Sequence, residues 1–261
     1  MKKVIQYIES KCYIKPNIGI VLGSGLNQFC NTLKSTVKIP YYKIPNFRKT
    51  SVKGHKGEFI IGKSHDQNII CANGRFHFYE GFQYNQVAII IDIFKSLGCK
   101  LIIMTNSSGA VIKEWNIGDL MLIKGHIDYS FRGSSNNPKI IQDNRYDPFI
   151  LNQVTNIAKK IDINLREGNY TWTTGPTYET PSEIQDIKIL GGHAVGMSGL
   201  PEIERIHDLK MKMIGLCCLT NYASGISSTK LTHKEVVCQA QNYQNNFTTL
   251  LNSIIKLISL S

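Results

Sequence analysis

At 261 residues, with 42% hydrophobic and 19% charged residues, the chain is long enough to bury a sizeable core and too apolar to be disordered. Its formal net charge of +11 is uneven, since residues 1–57 hold eleven Lys or Arg against one acid, Glu9, and the remainder is near neutral. No apolar run is long enough for a membrane span, the opening Val4-Ile5 is interrupted by Gln6 and ended by Glu9 so that no secretory signal is expected, and seven cysteines without C-x-x-C spacing argue against zinc and for reduced thiols in a cytoplasm.

In chain order, Ile18-Gly19-Ile20-Val21-Leu22 reads as the first buried strand and runs into Gly23-Ser24-Gly25. Strands are expected at 58–61 and 69–72, the second leading into Asn73-Gly74-Arg75. Residues 85–97 read as one largely buried helix closed by Gly98 in the C-cap place. The helix delivers the chain to Leu101-Ile102-Ile103-Met104, a strand buried on both faces that is expected to end in the polar run Thr105-Asn106-Ser107-Ser108-Gly109. Small residues leaving a strand can converge their amides on an anion, although an ordinary turn has the same composition.

A strand at 119–123 is followed by a long polar stretch, 128–147, of the kind that is functional, an interface, or mobile. A helix at 148–161 and a strand at 170–174 come next. Thr180-Pro181-Ser182-Glu183 is a capping box with Pro at the first helical position, which leaves Glu179 outside the helix. The same strand-to-helix grammar recurs at 194–202, where Pro201 opens a helix, and at 216–219, with Thr220-Asn221-Tyr222 at the strand end. Thr232-His233-Lys234-Glu235 is a second capping box, expected to start a long amphipathic C-terminal helix.

Strands alternating with helices, without a repeat or linker, predict an α/β fold: a single domain over residues 1–261 with a mixed central β-sheet surrounded by helices. Parallel strands bring their carboxyl ends to one crevice, so Ser24, Arg75 with His77, residues 106–108, Glu179, Ser198 and Asn221 are expected to share it. Each also has an ordinary reading: Arg75 as an ion-pair residue, Ser24 as turn filler, Glu179 as a helix-terminal acid, Asn221 as a turn residue, Met197 and Tyr178 as core. A dinucleotide site after Gly23-Ser24-Gly25 is excluded, because Gln28 stands in the third glycine's place and no acid lies between Glu9 and Glu58 to hold a ribose. The basic N-terminal block lacks the arginine-rich helix or paired aromatics of a nucleic-acid binder and reads as a solvated face.

Taken as a set and in order, Gly23-Ser24-Gly25-Leu26, Gly54-His55, Gly74-Arg75-Phe76-His77-Phe78-Tyr79-Glu80-Gly81, Thr105-Asn106 with Gly109, Gly175-Pro176-Thr177-Tyr178-Glu179, Gly196-Met197-Ser198 with Pro201-Glu202, Thr220-Asn221 and His233 resemble the motif series of trimeric purine nucleoside phosphorylases. The resemblance runs from about residue 18 to 240. It implies phosphorolysis of 6-oxopurine nucleosides, inosine, guanosine and their deoxy analogues, to free base and pentose 1-phosphate in purine salvage. It further implies a cytoplasmic homotrimer that uses phosphate as co-substrate and needs no metal or other cofactor, nucleic acid or membrane.

By the same resemblance, Ser24, His55, Arg75, His77, Ser198 and the backbone around Ser107 and Ser108 hold phosphate. Asn221 and Glu179 read the base, Tyr178 covers the purine, Tyr79 and Met197 the sugar, and His233 the 5′-hydroxyl. Glu80 supports His77. Tyr146 resembles, loosely, an aromatic that reaches into a neighbouring subunit's site, and it reads equally as a surface residue. The chain departs from the family where Ser107-Ser108 replace a common pair of alanines, where Tyr178 stands for Phe, and where Gly199-Leu200 stand for Thr-Val. Methylthioadenosine phosphorylase is the neighbouring alternative, disfavoured by Asn221 and His233; a non-catalytic nucleotide or nucleic-acid-binding protein is the alternative of another class.

Overall fold

The computed structural model describes residues 1–48, 50, 56–131, 138–141, 145–227 and 243–258. His55, His233 and the capping box at Thr232 lie outside the described residues. A ten-stranded mixed sheet runs through the molecule, in the order β10-β6-β8-β9-β5-β1-β4-β3-β2, with β7 paired to β6 and β10 also paired to β5. Its strands are β1 (Ile18–Val21), β2 (Lys34–Pro40), β3 (Glu58–Ser64), β4 (Gln67–Asn73), β5 (Leu101–Ala110), β6 (Leu120–Asp128), β7 (Lys139–Ile141), β8 (Leu165–Trp172), β9 (Ala194–Gly196) and β10 (Lys212–Tyr222).

Helices cover both faces, which is why β5 is apolar on both. Side chains alternate along a strand, so Ile102 and Met104 enter one core while Leu101 and Ile103 enter the other. The first core is closed by α1 (Lys2–Lys11), α3 (Ile89–Ser96) and α6 (Leu200–Asp208), through residues such as Ile8, Phe94 and Ile203. The second is closed by α4 (Pro148–Lys160) and α7 (Gln244–Leu257), through Val154, Phe247 and Leu251. A smaller cluster seats Ile184 and Ile187 of α5 (Pro181–Ile189) against Val111 and Val195.

Several expectations change in the structure. The helix at 85–97 is divided into α2 (Tyr84–Val87) and α3, because Ala88, at ψ 2°, caps the first and starts the second. Gly98 does close α3, at φ +98°. The polar run after Met104 is not a loop: β5 continues to Ala110, since β10 pairs with it in parallel as far as Ala110. Asn221 is likewise inside β10, just after a bulge between Leu219 and Asn221 that re-aims its side chain. Part of the stretch 128–147 forms β7, antiparallel to β6.

Tyr146 is neither a surface residue nor free to reach a neighbour. It is 2% exposed, its hydroxyl lies 2.7 Å from Nε2 of His126, and the two rings stack. The reason is space on the opposite strand: Gly215 of β10 has no side chain, and a Cβ there would lie 2.7 Å from the Tyr146 hydroxyl. Burial pushes the His126 imidazole down to about 3, so the pair is neutral and belongs to the core.

Candidate active site

A strand has two edges, and β10 takes one edge of β5 along its whole length. The other edge is shared. β1 pairs with it from Leu101 to Met104, and β9 pairs antiparallel at Gly109 and Ala110. Between Val21, the last residue of β1, and Val195 of β9, residues 105–108 of β5 therefore have no strand on this edge among the described residues. With β10, β6 and β8, β5 and β9 close into a ring of five strands, and the break lies where β1 leaves that ring.

Side chains take over the missing ladder. The Thr105 hydroxyl donates to the Val21 carbonyl at 3.0 Å and accepts from the Gly23 amide at 3.0 Å. Two residues on, the Ser107 hydroxyl donates to the Ser24 carbonyl at 2.5 Å. Both reach across to the Gly23-Ser24-Gly25 turn, which packs so closely that a Cβ on Gly23 would lie 3.0 Å from the Ser107 nitrogen. Gly25, at φ +76°, completes the turn.

Arg75, 0% exposed, follows β4 and fills the floor of the break. Its Nη2 donates to the carbonyls of Val21 (3.2 Å) and Thr105 (2.5 Å), and its Nη1 to Oδ1 of Asn106 (2.6 Å) and Oγ of Ser198 (3.1 Å). Nε lies 4.0 Å from Oε1 of Glu202, which is also fully buried. Four guanidinium N–H groups, those of Nη1 and Nη2, are thus directed by four different protein acceptors, while Nε faces Glu202 without a hydrogen bond among the described residues. Ser198 and Glu202 belong to one short segment, where Gly199 at φ +101° turns the chain into α6 and Pro201 stands in its first turn. Tyr170 holds the segment by donating to the Ser198 carbonyl at 2.7 Å. Burial raises the Glu202 carboxyl while Arg75 pulls it back, and burial lowers Arg75.

The break opens into a cleft with a cavity volume of about 100 Å³. Ser24, Arg75, Ser107 and Ser198 line one end. His77 joins them, with its backbone N–H donating to Oε1 of Glu80 at 2.8 Å, its Nδ1 at 3.2 Å from the same oxygen, and its ring stacked on Tyr79. Glu179, Tyr178 and Asn221 line the cleft too, and Tyr79 and Met197 meet over Gly175, where a Cβ would lie 2.6 Å from the Met197 sulfur and 2.8 Å from Cδ1 of Tyr79. The peptide bond from Gly175 to Pro176 is cis.

Two further polar groups that line the cleft are held in place by their neighbours. Glu179 sits just before Thr180, which caps α5 in the expected capping box, so its own carboxylate is left to the cleft. The Thr173 hydroxyl donates to its Oε1 at 2.6 Å, and burial raises its pKa against that bond. Asn221 accepts from the Thr220 hydroxyl at 2.9 Å and donates from Nδ2 to the Tyr222 carbonyl at 2.9 Å, which fixes which end of the amide is which. Gly109 makes room, because a Cβ there would lie 3.1 Å from that Nδ2.

Of the residues expected from the sequence, Ser24, Arg75, His77, Tyr79, Ser107, Tyr178, Glu179, Met197, Ser198 and Asn221 come together in this cleft. Ser108 does not line it. Because β5 remains a strand, Ser107 and Ser108 face opposite ways, and the Ser108 side chain is buried beside Cys217. His55 and His233 lie outside the described residues, and Tyr146 lies in the core. Sequence reasoning missed Thr105, Asn106 and Glu202 as the frame of Arg75, and Thr173 behind Glu179. Thr105, Asn106 and Glu202 stand inside the quoted motifs, but nothing in those motifs shows that they hold Arg75. Among the described residues no cluster of His, Cys, Asp or Glu could hold a metal ion.

Comparison with known proteins gives the family. The family model of the phosphorylase superfamily matches residues 17–256. Purine nucleoside phosphorylase 1 of Geobacillus stearothermophilus is 33% identical over 268 residues, covering 98% of this chain and 96% of that protein. Crystal structures of Schistosoma mansoni purine nucleoside phosphorylase in complex with inosine and with adenosine each superpose with a TM-score of 0.88 at 28% identity, over 100% of this chain and 96% and 97% of theirs. The chain therefore belongs to the phosphorylase superfamily and, within it, to the purine nucleoside phosphorylases.

Proposed function

We propose that this cleft is where the chain carries out its family's reaction, attack of inorganic phosphate on C1′ of a purine nucleoside to release free base and pentose 1-phosphate. The observation that carries the reading is that one cleft joins a buried arginine, held at both Nη atoms, and three serines to a carboxylate and an amide that their neighbours hold in place. A phosphate dianion held without metal needs a fixed guanidinium, hydroxyl and amide donors, which Arg75, Ser24, Ser198, His77 and the β5 edge near Ser107 supply. Bond cleavage passes through an oxocarbenium-like state that leaves negative charge on the purine. Asn221 faces N7 and O6 of the base in this reading, so its N–H bond strengthens as that charge develops. Glu179, as carboxylate, accepts from the base N1–H. Tyr178 covers the purine, and Tyr79 with Met197 borders the sugar. The chemistry requires no further cofactor.

A preference for 6-oxopurines is part of the proposal, supported by an amide at Asn221 where a 6-amino group would favour a carboxylate. The test is incubation with inosine, guanosine, adenosine, xanthosine and methylthioadenosine, with and without phosphate, in a chelator. Phosphate-dependent release of hypoxanthine and guanine, faster than adenine, is expected. Base release without phosphate would make the protein a hydrolase, and methylthioadenosine as best substrate would make it the neighbouring phosphorylase. Assembly as a homotrimer is supported by the family resemblance, and a cytoplasmic setting by the six buried, free thiols among the described residues. Light scattering on the eluting protein tests the trimer.

A further inference from the structure

Ser107 departs from the alanine common in the family, and the structure gives its hydroxyl an unusual state. A hydroxyl has one proton, and that of Ser107 is donated to the Ser24 carbonyl at 2.5 Å. Ser107 is only partly buried and lines the cleft, so what its oxygen can still offer there is lone pairs. The surrounding groups have the opposite character. The neighbouring Asn106 holds Nη1 of Arg75 at 2.6 Å, and the same Nη1 reaches the Ser198 hydroxyl at 3.1 Å. The anion end of the cleft therefore combines a cation and donors with one acceptor-only oxygen, tied in place across the break.

Donors and a cation attract any tetrahedral dianion, whereas an acceptor-only oxygen distinguishes among them. Hydrogen phosphate carries a P–OH proton that such an oxygen can accept. Sulfate, of the same size and charge, carries none, and its oxygens would meet the Ser107 lone pairs with repulsion. We propose that the Ser107 hydroxyl accepts the proton of hydrogen phosphate and is a specificity-determining group that rejects sulfate. The inference rests on the reading of this cleft as the phosphate site. It requires no proton transfer, since the P–OH hydrogen stays on phosphate.

The experiment measures the phosphate KM of phosphorolysis and the inhibition constant of sulfate competing with phosphate, in the native enzyme and in S107A, at a pH where phosphate is the monohydrogen dianion. In the native enzyme sulfate is expected to be a poor competitor. In S107A the phosphate KM should rise, sulfate inhibition should be unchanged or stronger, and the ratio of the two constants should fall about tenfold, the scale of one charge-assisted hydrogen bond. Arsenate, which also carries a proton at that pH, should follow phosphate as a co-substrate, and the nucleoside KM should not move. A parallel weakening of phosphate and sulfate would show that Ser107 only holds the turn and would overturn the proposal, as would an unchanged ratio. Failure of the native enzyme to use phosphate at all would instead overturn the functional reading on which the inference stands.

Discussion

Glu202→Gln tests whether the floor of the cleft is held by charge. At 4.0 Å and an effective dielectric constant of about 20, the attraction between Glu202 and Arg75 is about 4 kcal/mol. Both side chains are fully buried, so removing the carboxylate charge leaves an uncompensated guanidinium in the interior, a loss of about 3–5 kcal/mol in comparable sites. Glutamine has the same shape, so packing is preserved and charge alone is changed. A control stands on the same helix. Glu204 lies 3.9 Å from Arg145, almost the same distance, but its side chain is 25% exposed, and Glu204→Gln should cost about 1 kcal/mol or less. Denaturant unfolding at constant m value measures both. Equal costs for the two substitutions, or a cost below about 1 kcal/mol for Glu202→Gln, would refute the claim that burial makes the first pair a structural necessity.

Thr105→Val removes the hydroxyl that joins Val21 to Gly23 and leaves the Gly23 amide without it, so stability should fall by about 1–3 kcal/mol while Thr105→Ser stays close to native, both read by thermal or denaturant unfolding. Burial raises the Glu179 carboxyl, so on acidification it takes up its proton earlier than an ordinary glutamate and loses its acceptor role. The acid limb of kcat/KM for guanosine should accordingly lie above the usual carboxylate value near 4.3, and should vanish in Glu179→Gln with a large loss of rate. A limb that persists in that variant belongs to another group. Asn221→Asp should shift the ratio of kcat/KM from inosine toward adenosine, and an unchanged ratio would remove Asn221 from base recognition.

The parts of this fold that were legible in sequence are those where local chemistry agrees with the tertiary structure. Ile18 to Val21 and Leu101 to Met104 are apolar because both faces of the sheet are covered, and Thr180 to Glu183 caps its helix by contacts within four residues. What escaped depends on distant partners. Asn106 to Ala110 has the composition of a turn, and only β10, more than a hundred residues later, supplies the ladder that keeps it extended. That same extension decides that Ser107 lines the cleft and Ser108 does not. Tyr146, in a polar stretch, is buried because Gly215 and His126 leave it a place. Glu202, a charged residue in the first turn of an amphipathic helix, would by pattern face solvent, and it is buried because Arg75 arrives from β4. The candidate site was more legible than its framework, since the cleft side chains fall in short motifs whereas their supports do not.

The break along β5 also affects how the protein resists opening. From residue 105 to 108 the sheet is continuous on the β10 side only, and on the other side two hydroxyls and one guanidinium stand in for a strand. Under the proposed function, phosphate and nucleoside seated there would act as a splint across this seam. Ligand at a hundred times its dissociation constant adds about 2.7 kcal/mol to stability, and amide exchange reports where that protection is felt. The slowing should concentrate at residues 21–24 and 105–109, on the two lips of the seam. Under the proposed function, a bound substrate would thus also serve as a structural element of the sheet.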